Sequence, residues 1–422
     1  MSLSKPMSRI VSRRTQNFQA KKNSYSLSSP NAVQIEIDTS TEAIDFQNSR
    51  LFYKITFTAA AGSSNTKLLK FAGGNIVKNL RVKTLGGQLI GDDIRNYNGY
   101  QRMIQELKNN SDWNDSYGRV LENAEHSTSG IAASATATVT LSHQFCAHIM
   151  ALKEYYPAHF TQGIIIEFDL PSTAEELFTA TTALPAISSV SIEDPRMVCD
   201  LVKLAPEVEQ AMVSMVENNQ LKVDYVSVLT QDNQIAAATN NANFDIVGIN
   251  GRVKSAFTYM RPNANRDGLT EANDYWAQKD HNYLQSYRYR LGSEYLNYQA
   301  IQTNEGDDSD ELYNTTEQVF ELLKALDGNH SDAFRYQMGD SGLSGSSKAG
   351  DQLRSNNYVL GIKVDKEQSH VDESISSKMN KDRNNMRVEL TFNGTDNVAA
   401  TAYTHITLDK SFYIAPGGAV LN

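Results

Sequence analysis

From residue 32 onward the chain alternates hydrophobic and polar positions with a period of two. Val33, Ile35 and Ile37 are separated by polar residues, as are Leu51, Tyr53, Ile55 and Phe57. The same alternation runs through Ala135, Ala137, Val139 and Leu141, and through Ile164, Ile166, Phe168 and Leu170. Successive side chains of a strand point to opposite faces, so each run predicts a β-strand with one buried face. Leu80 and Val82 lead through Leu85 to Gly86-Gly87 and out again at Leu89-Ile90. That pattern predicts a hairpin, because glycine reaches positive φ without steric cost. Beyond residue 220 the texture returns at 221–229, 244–249, 253–260 and 287–291. It then recurs at Tyr358, Leu360, Ile362 and Val364, at Met386, Val388, Leu390 and Phe392, and at 403–408 and 412–414.

Helical spacing is rarer. Ile94, Tyr97, Ile104 and Leu107 predict a helix weakened by Gly99. Ser172-Thr173-Ala174-Glu175 has the form of a capping box before a short turn, and Thr315-Thr316-Glu317-Gln318 precedes Val319, Leu322, Leu323 and Leu326. At 206–218, Pro206 fits a first helical position, and Val208, Met212, Met215 and Val216 share a face. This helix lies close to mid-chain between two strand-rich stretches. Many short strands with few helices point to sandwiches rather than a parallel sheet. The pattern therefore predicts an all-β chain of two similar sandwiches joined by a short helix.

Composition narrows this reading. The 422 residues are 40% hydrophobic and 21% charged, enough apolar material for packed cores. Two cysteines, Cys146 and Cys199, exclude a dense disulfide framework. No apolar run reaches the ~18 residues that suggest a membrane-spanning helix, and no apolar leader is evident at the N-terminus. The net charge of −10 argues against a general nucleic-acid binder. Yet the charge is segregated: Lys5, Arg9, Arg13, Arg14, Lys21 and Lys22 precede the first acid, Glu36, leaving 33 bases against 49 acids in the remainder. Residues 1–31 thus read as a basic arm. It admits three readings: a solvated tail, an assembly arm ordered against neighbouring subunits, or a contact with packaged nucleic acid or lipid headgroups.

Little in the sequence points to catalysis. No H-E-x-x-H, phosphate loop or G-x-S-x-G elbow is present. Gly73-Gly74 and Gly86-Gly87 read as turn glycines. His143, Cys146 and His148 are the closest grouping of metal-ligand types, but would need further ligands and are better read as strand-end residues. The cysteines are better read as structural than as nucleophiles. Asn304 to Glu311 concentrates Glu305, Asp307, Asp308, Asp310 and Glu311. Its spacing lacks the EF-hand order, so an exposed acidic loop is the primary reading and a Ca²⁺ site the secondary one. Five N-x-[ST] sequons, at Asn109, Asn114, Asn314, Asn329 and Asn393, carry no assignment. No catalytic, cofactor or metal residue is assigned.

Several ordered segments resemble the double jelly-roll major capsid proteins of tailless icosahedral double-stranded-DNA viruses, the adenovirus-hexon lineage, and look closest to those of polinton-like viruses. FQNSRLFYKITFTAA (46–60) resembles the strand opening the first roll. KFAGGNIVKNLRVKTLGGQLIGDD (70–93), IRNYNGYQRMIQEL (94–107) and YYPAHFTQGIIIEFDLPSTAEELF (155–178) resemble its hairpin, helical segment and late strand. VSIEDPRMVCDLVKLAPEVEQAMVSMVENNQ (190–220) is similar to the last strand and the helix between rolls. NYVLGIKVDK (357–366), NMRVELTFNG (385–394) and YTHITLDKSFYIAPGGAVLN (403–422) resemble the closing strands of the second. The stretch 261–357 matches poorly.

The resemblance implies two tandem eight-stranded jelly-roll sandwiches with a few short helices. The expected division is an arm at 1–31, a first roll at 32–205, a connecting helix at 206–220 and a second roll with long insertions at 221–422. It implies a structural, non-enzymatic major capsid protein without cofactors. Such a protein would form pseudo-hexameric homotrimeric capsomers that tile an icosahedral shell, assembled inside the host cell and resident in the virion. Its implied partners are its own copies and neighbouring capsomers, penton or minor capsid proteins, and an inner membrane or packaged genome met through the arm. The alternative is a β-sandwich receptor- or carbohydrate-binding protein of a virion or cell surface. A sandwich or barrel hydrolase would need convergent carboxylates that no spacing reveals.

Overall fold

A computed structural model describes residues 10–27, 32–39, 41–62, 65–109, 111–122, 130–179, 187–263, 282–297, 299–303, 316–326, 358–364, 385–392, 397–418 and 420–421. In chain order the principal strands of the first half are β1 (Ile10–Gln19), β2 (Ser24–Ser26), β3 (Ala32–Ile37), β4 (Ala43–Ala59) and β5 (Asn79–Thr84). Helix α1 (Tyr97–Lys108) precedes β6 (Thr136–His143), β7 (Ile164–Asp169) and β8 (Ile187–Leu204). Helix α2 (Pro206–Glu217) follows. The second half has β9 (Leu221–Ile235), β10 (Asn241–Val247), β11 (Arg252–Pro262) and β12 (Leu284–Leu291), then α3 (Thr316–Ala325). It closes with β13 (Leu360–Lys363), β14 (Asn385–Phe392) and β15 (Ala400–Ile414).

The chain divides into two compact units. The first holds residues up to Arg102, Trp113–Ser227 and Asp409–Asn422; the second holds Met103–Asp112 and Val228–Leu408. This differs from a break at residues 206–220. The start of β9 and the end of β15 belong to the first unit, where Tyr225 and Phe412 pack with ring centroids 5.8 Å apart. Val420 is tied to the same unit by two hydrogen bonds with the Gln88 side chain, its N–H donating to Oε1 at 3.1 Å and its carbonyl accepting from Nε2 at 2.7 Å.

In the first unit one sheet runs β1-β8-β4-β6, with β2 also on β8, and a smaller sheet runs β3-β7-β5. Their alternation is the one the sequence predicts: Leu51, Tyr53, Ile55 and Phe57 of β4 are buried, as are Ile164, Ile166 and Phe168 of β7. The pairs Val33–Phe168 and Leu80–Phe168 set the smaller sheet's antiparallel register. The predicted hairpin is present: the Thr84 N–H bonds to the Gln88 carbonyl, and Gly87 takes φ +85°. Helix α1 starts at Tyr97 rather than Ile94, because Ile94 bridges to Leu80 and Asn96 turns to φ +50°.

The second unit packs β10-β14-β12 and the sheet ordered β9-β15-β11-β13 over one apolar core, which includes Ile246, Met260, Tyr289, Leu360, Val388 and Ile406. Hydroxyls are paired inside it: Tyr289 Oη donates to Thr258 Oγ1 at 2.8 Å, and Thr258 meets Thr404 at 3.0 Å. Pairing satisfies groups that would otherwise be costly to bury. The two strands expected at 403–408 and 412–414 form a single strand, β15. Within 261–357, where the resemblance is weak, β12 carries Leu284, Tyr287, Tyr289 and Leu291 inward. The capping box at Ser172 is not formed. Thr173 occupies the cap without a side-chain bond, and Ser172 Oγ instead accepts from Lys78 Nζ at 2.8 Å.

Candidate functional site

The basic segment is the clearest site candidate in the sequence, and the structure places its described part, residues 10–27, inside the first roll rather than in a separate arm. Strand β1 pairs antiparallel with β8 from Ile10 opposite Leu204 to Gln19 opposite Arg196, and β2 pairs farther along β8. Only Phe18 of β1 is buried, so the strand is held by its hydrogen-bond ladder and by charge.

The cations are largely matched within the chain. Arg13 donates Nη2–H to Asp200 Oδ2 at 2.6 Å and to Asp45 Oδ2 at 3.2 Å, while Thr15 Oγ1 donates to Asp200 Oδ1 at 2.8 Å. Arg14 forks onto Glu42, Nε to Oε1 at 2.8 Å and Nη2 to Oε2 at 2.5 Å, the bidentate geometry that suits guanidinium to carboxylate. Lys21 Nζ lies 2.6 Å from Glu36 Oε1, and Lys22 is exposed. Lys5 and Arg9 lie outside the described residues, as do Glu305, Asp307, Asp308, Asp310 and Glu311 of the acidic loop.

The Arg14 fork holds the Glu42 carboxyl below its ordinary value, against an opposing effect of burial, with Lys203 adding a smaller pull. A depressed carboxyl contributes stability above the ordinary carboxylate range and loses it as pH falls through the depressed value. Arg14→Gln is expected to raise the Glu42 pKa, read by side-chain carboxyl NMR titration. An unchanged titration would mean that the fork does not persist in solution.

A second charged array lines the outer face of β3-β7-β5. Arg81 Nη1 donates to Glu167 Oε1 at 2.6 Å and its Nη2 bonds to Asp169, while Lys83 Nζ reaches both Glu167 oxygens at 3.0 Å. Burial opposes ionisation of Glu167, but Lys83, Arg81 and Gln34 outweigh it and hold the carboxyl low. Every charge in the array has an opposite partner, which is the pattern of a stitched sheet surface.

The histidine–cysteine grouping converges only in part. His143 Nε2 and Tyr97 Oη are 2.9 Å apart, and Cys146 Sγ lies 3.5 Å from the same hydroxyl. His148 instead turns toward Tyr225, with ring centroids 5.4 Å apart. Among the described residues no three His, Cys, Asp or Glu side chains are placed to hold a metal ion. Burial pushes the Cys199 thiol up to about 12, so it stays protonated near neutrality and is a poor nucleophile. An open depression of about 650 Å³ is lined by Gln19, Asn23, Ser24, Lys54, Glu193 and Asp194. It presents no aromatic platform of the kind glycan binding uses. No described helix is long and apolar enough to cross a membrane.

The fold is the double jelly roll of viral major capsid proteins. Over 98% of its length the chain superposes on 97% of the VP54 chain of PBCV-1, a structure fitted into a reconstruction of the virophage Sputnik, with a TM-score of 0.60 at 13% identity. It covers 88% of a chain in the cryo-EM structure of the Sputnik virophage with 98% of its own length, at TM-score 0.59 and 12% identity. All of it aligns with 90% of the mavirus major capsid protein, at TM-score 0.53 and 10% identity. No protein-family model and no curated protein matches the sequence. At such low identity, what is shared is the fold.

Proposed function

We propose that the chain is a structural major capsid subunit of an icosahedral virion, acting without catalysis and assembling with its own copies as pseudo-hexameric homotrimers. The observation that carries this reading is the end-to-end agreement, in both rolls, with chains described as parts of viral capsids. Tyr117 and Val120 support it as apolar side chains left exposed, at 71% and 75%, which contacts between copies would cover. Penton and minor capsid proteins are the further partners such a role calls for. With Arg13, Arg14 and Lys21 bonded to carboxylates of the same chain, a contact with an inner membrane or packaged genome falls to Lys5, Arg9 and Lys22.

Light scattering on the purified chain, with electron-microscope images of the particles, tests this. A mass three times that of the chain and a pseudo-hexagonal outline are expected. A monomer under every assembly condition tried would overturn the proposal.

A further inference from the structure

Inside the first unit the start of β9 and the end of β15 are fastened to the loop at residues 89–94 by a small polar cluster. Asp92 is its centre: Ser227 Oγ donates to Oδ2 at 2.5 Å, and Lys410 Nζ donates to Oδ1 at 2.9 Å. Tyr225 packs between the His148 ring and Phe412. Gly91 lies beneath at φ +69°, where an added Cβ would stand 2.8 Å from Tyr225 Oη and 3.0 Å from His148 Nε2. The backbone N–H of His148 bonds the Val226 carbonyl at 2.7 Å, so the histidine is itself part of the fastening.

His148 is unusual in two ways. Its backbone sits at φ 66°, ψ −171°, a region that is essentially glycine's, so the site holds a strained residue. Its ring is wholly buried, and neither ring nitrogen makes a well-formed hydrogen bond. Burial in that setting disfavours a charged ring, and the backbone of Ile90 and Asp92 offsets this only in part. The charged and titratable groups facing it are Asp92 from the loop, Lys410 from β15 and Tyr225 from β9, and the first two oppose each other's effect on the ring.

We propose that His148 is an acid-sensitive latch: gaining a proton, its ring leaves the cluster for water and frees the start of β9 and the end of β15 from the 89–94 loop. Release would also relax the strained backbone, so opening is favoured on both counts. The thresholds follow from the burial. Desolvation lowers the ring's pKa from 6.5 to about 4, Asp92 and the backbone of Ile90 and Asp92 resist, and Lys410 adds to the lowering. The folded-state value is depressed, so the neutral ring belongs to the closed state. Stability of that state is intact above pH ~6.5, falls as pH drops, and has lost the full increment by about pH 4. The inference does not depend on the capsid role.

Hydrogen exchange followed by mass spectrometry tests it on the full chain. Corrected for intrinsic rates, protection of 221–227 and 409–414 is expected to fall on the order of 10²-fold between pH 7 and 4.5, because each unit of pKa shift is tenfold in the opening equilibrium. His148→Gln should remove that pH dependence, while His159→Gln, at a partly buried histidine elsewhere, should leave it in place. Equal protection at both pH values, or the same loss in His148→Gln, overturns the latch. Should His148→Gln fail to fold, exchange of the imidazole C2 hydrogen in the wild-type chain gives the His148 pKa directly. A value near 4 supports the latch, and one near 6.5 overturns it.

Discussion

Phe168→Ala is expected to lower the stability of the first unit by about 3–5 kcal/mol, the usual cost of removing a fully buried aromatic ring from a core. Phe168 is 0% exposed and lies on β7, the middle strand of its sheet, opposite Val33 on one side and Leu80 on the other. Strands on both sides pin its backbone, so the site has little room to collapse around the lost ring. The cost should therefore fall toward the upper part of the range. Ile165 provides the internal comparison. It lies on the same strand but on the outer face, partly exposed. Its truncation removes less buried area and leaves no closed cavity, so a loss well under half as large is expected. Urea unfolding of the two variants, with matched slopes, checks the difference. Equal losses would mean that the two faces of β7 are not the buried and outer faces described.

That contrast is legible in the sequence alone. Period-two alternation marks which residues of β4 and β7 face inward, because a half-buried sheet imposes it. What alternation does not carry is the partner. The pairing of β8 with both β1 and β4 joins residues more than a hundred positions apart, and no local pattern announces it. For β1 this misleads. Arg13 and Arg14 read as part of a basic arm because the acids that match them, Asp200 and Glu42, are 187 and 28 residues away. An edge strand held by hydrogen bonds and ion pairs buries few apolar groups, so its sequence lacks the signal that identifies β4.

The candidate site is less legible still. His143, Cys146 and His148 are close in sequence, a spacing that suggests common ligation. The positive φ at His148 turns its backbone away from a strand path, and its ring ends beside Tyr225 rather than beside Tyr97. The residues that define its environment, Asp92, Ser227 and Lys410, come from three distant segments. Spacing along the chain cannot show a cluster assembled that way.

Glycine pairs expose the same limit and yield the second large effect. Gly73-Gly74 and Gly86-Gly87 look alike as sequence, and only the second is a turn. Gly73 is buried in the short helix Ala72–Asn75. Its N–H bonds to the Glu122 carbonyl at 3.3 Å, and the Tyr53 hydroxyl lies 3.0 Å from the Ala72 carbonyl oxygen and 3.1 Å from that of Gly73. A Cβ there would stand 2.2 Å from the Ser142 carbonyl oxygen and 3.2 Å from the Glu122 Cα. Both obstacles are backbone, so no rotamer change relieves them, and β6 or the helix must shift. Gly73→Ala is therefore expected to cost about 3 kcal/mol or more, at the severe end of overpacking. Gly87→Ala meets open space and suffers only from its φ of +85°, so about 1–2 kcal/mol is expected. Thermal unfolding of the two variants separates these causes, with Gly73→Ala either failing to accumulate as folded protein or melting far below Gly87→Ala. A melting temperature for Gly73→Ala at or above that of Gly87→Ala would show that β6 does not approach the helix so closely, and with it the packing of β6 against residues 72–75 would have to be redrawn.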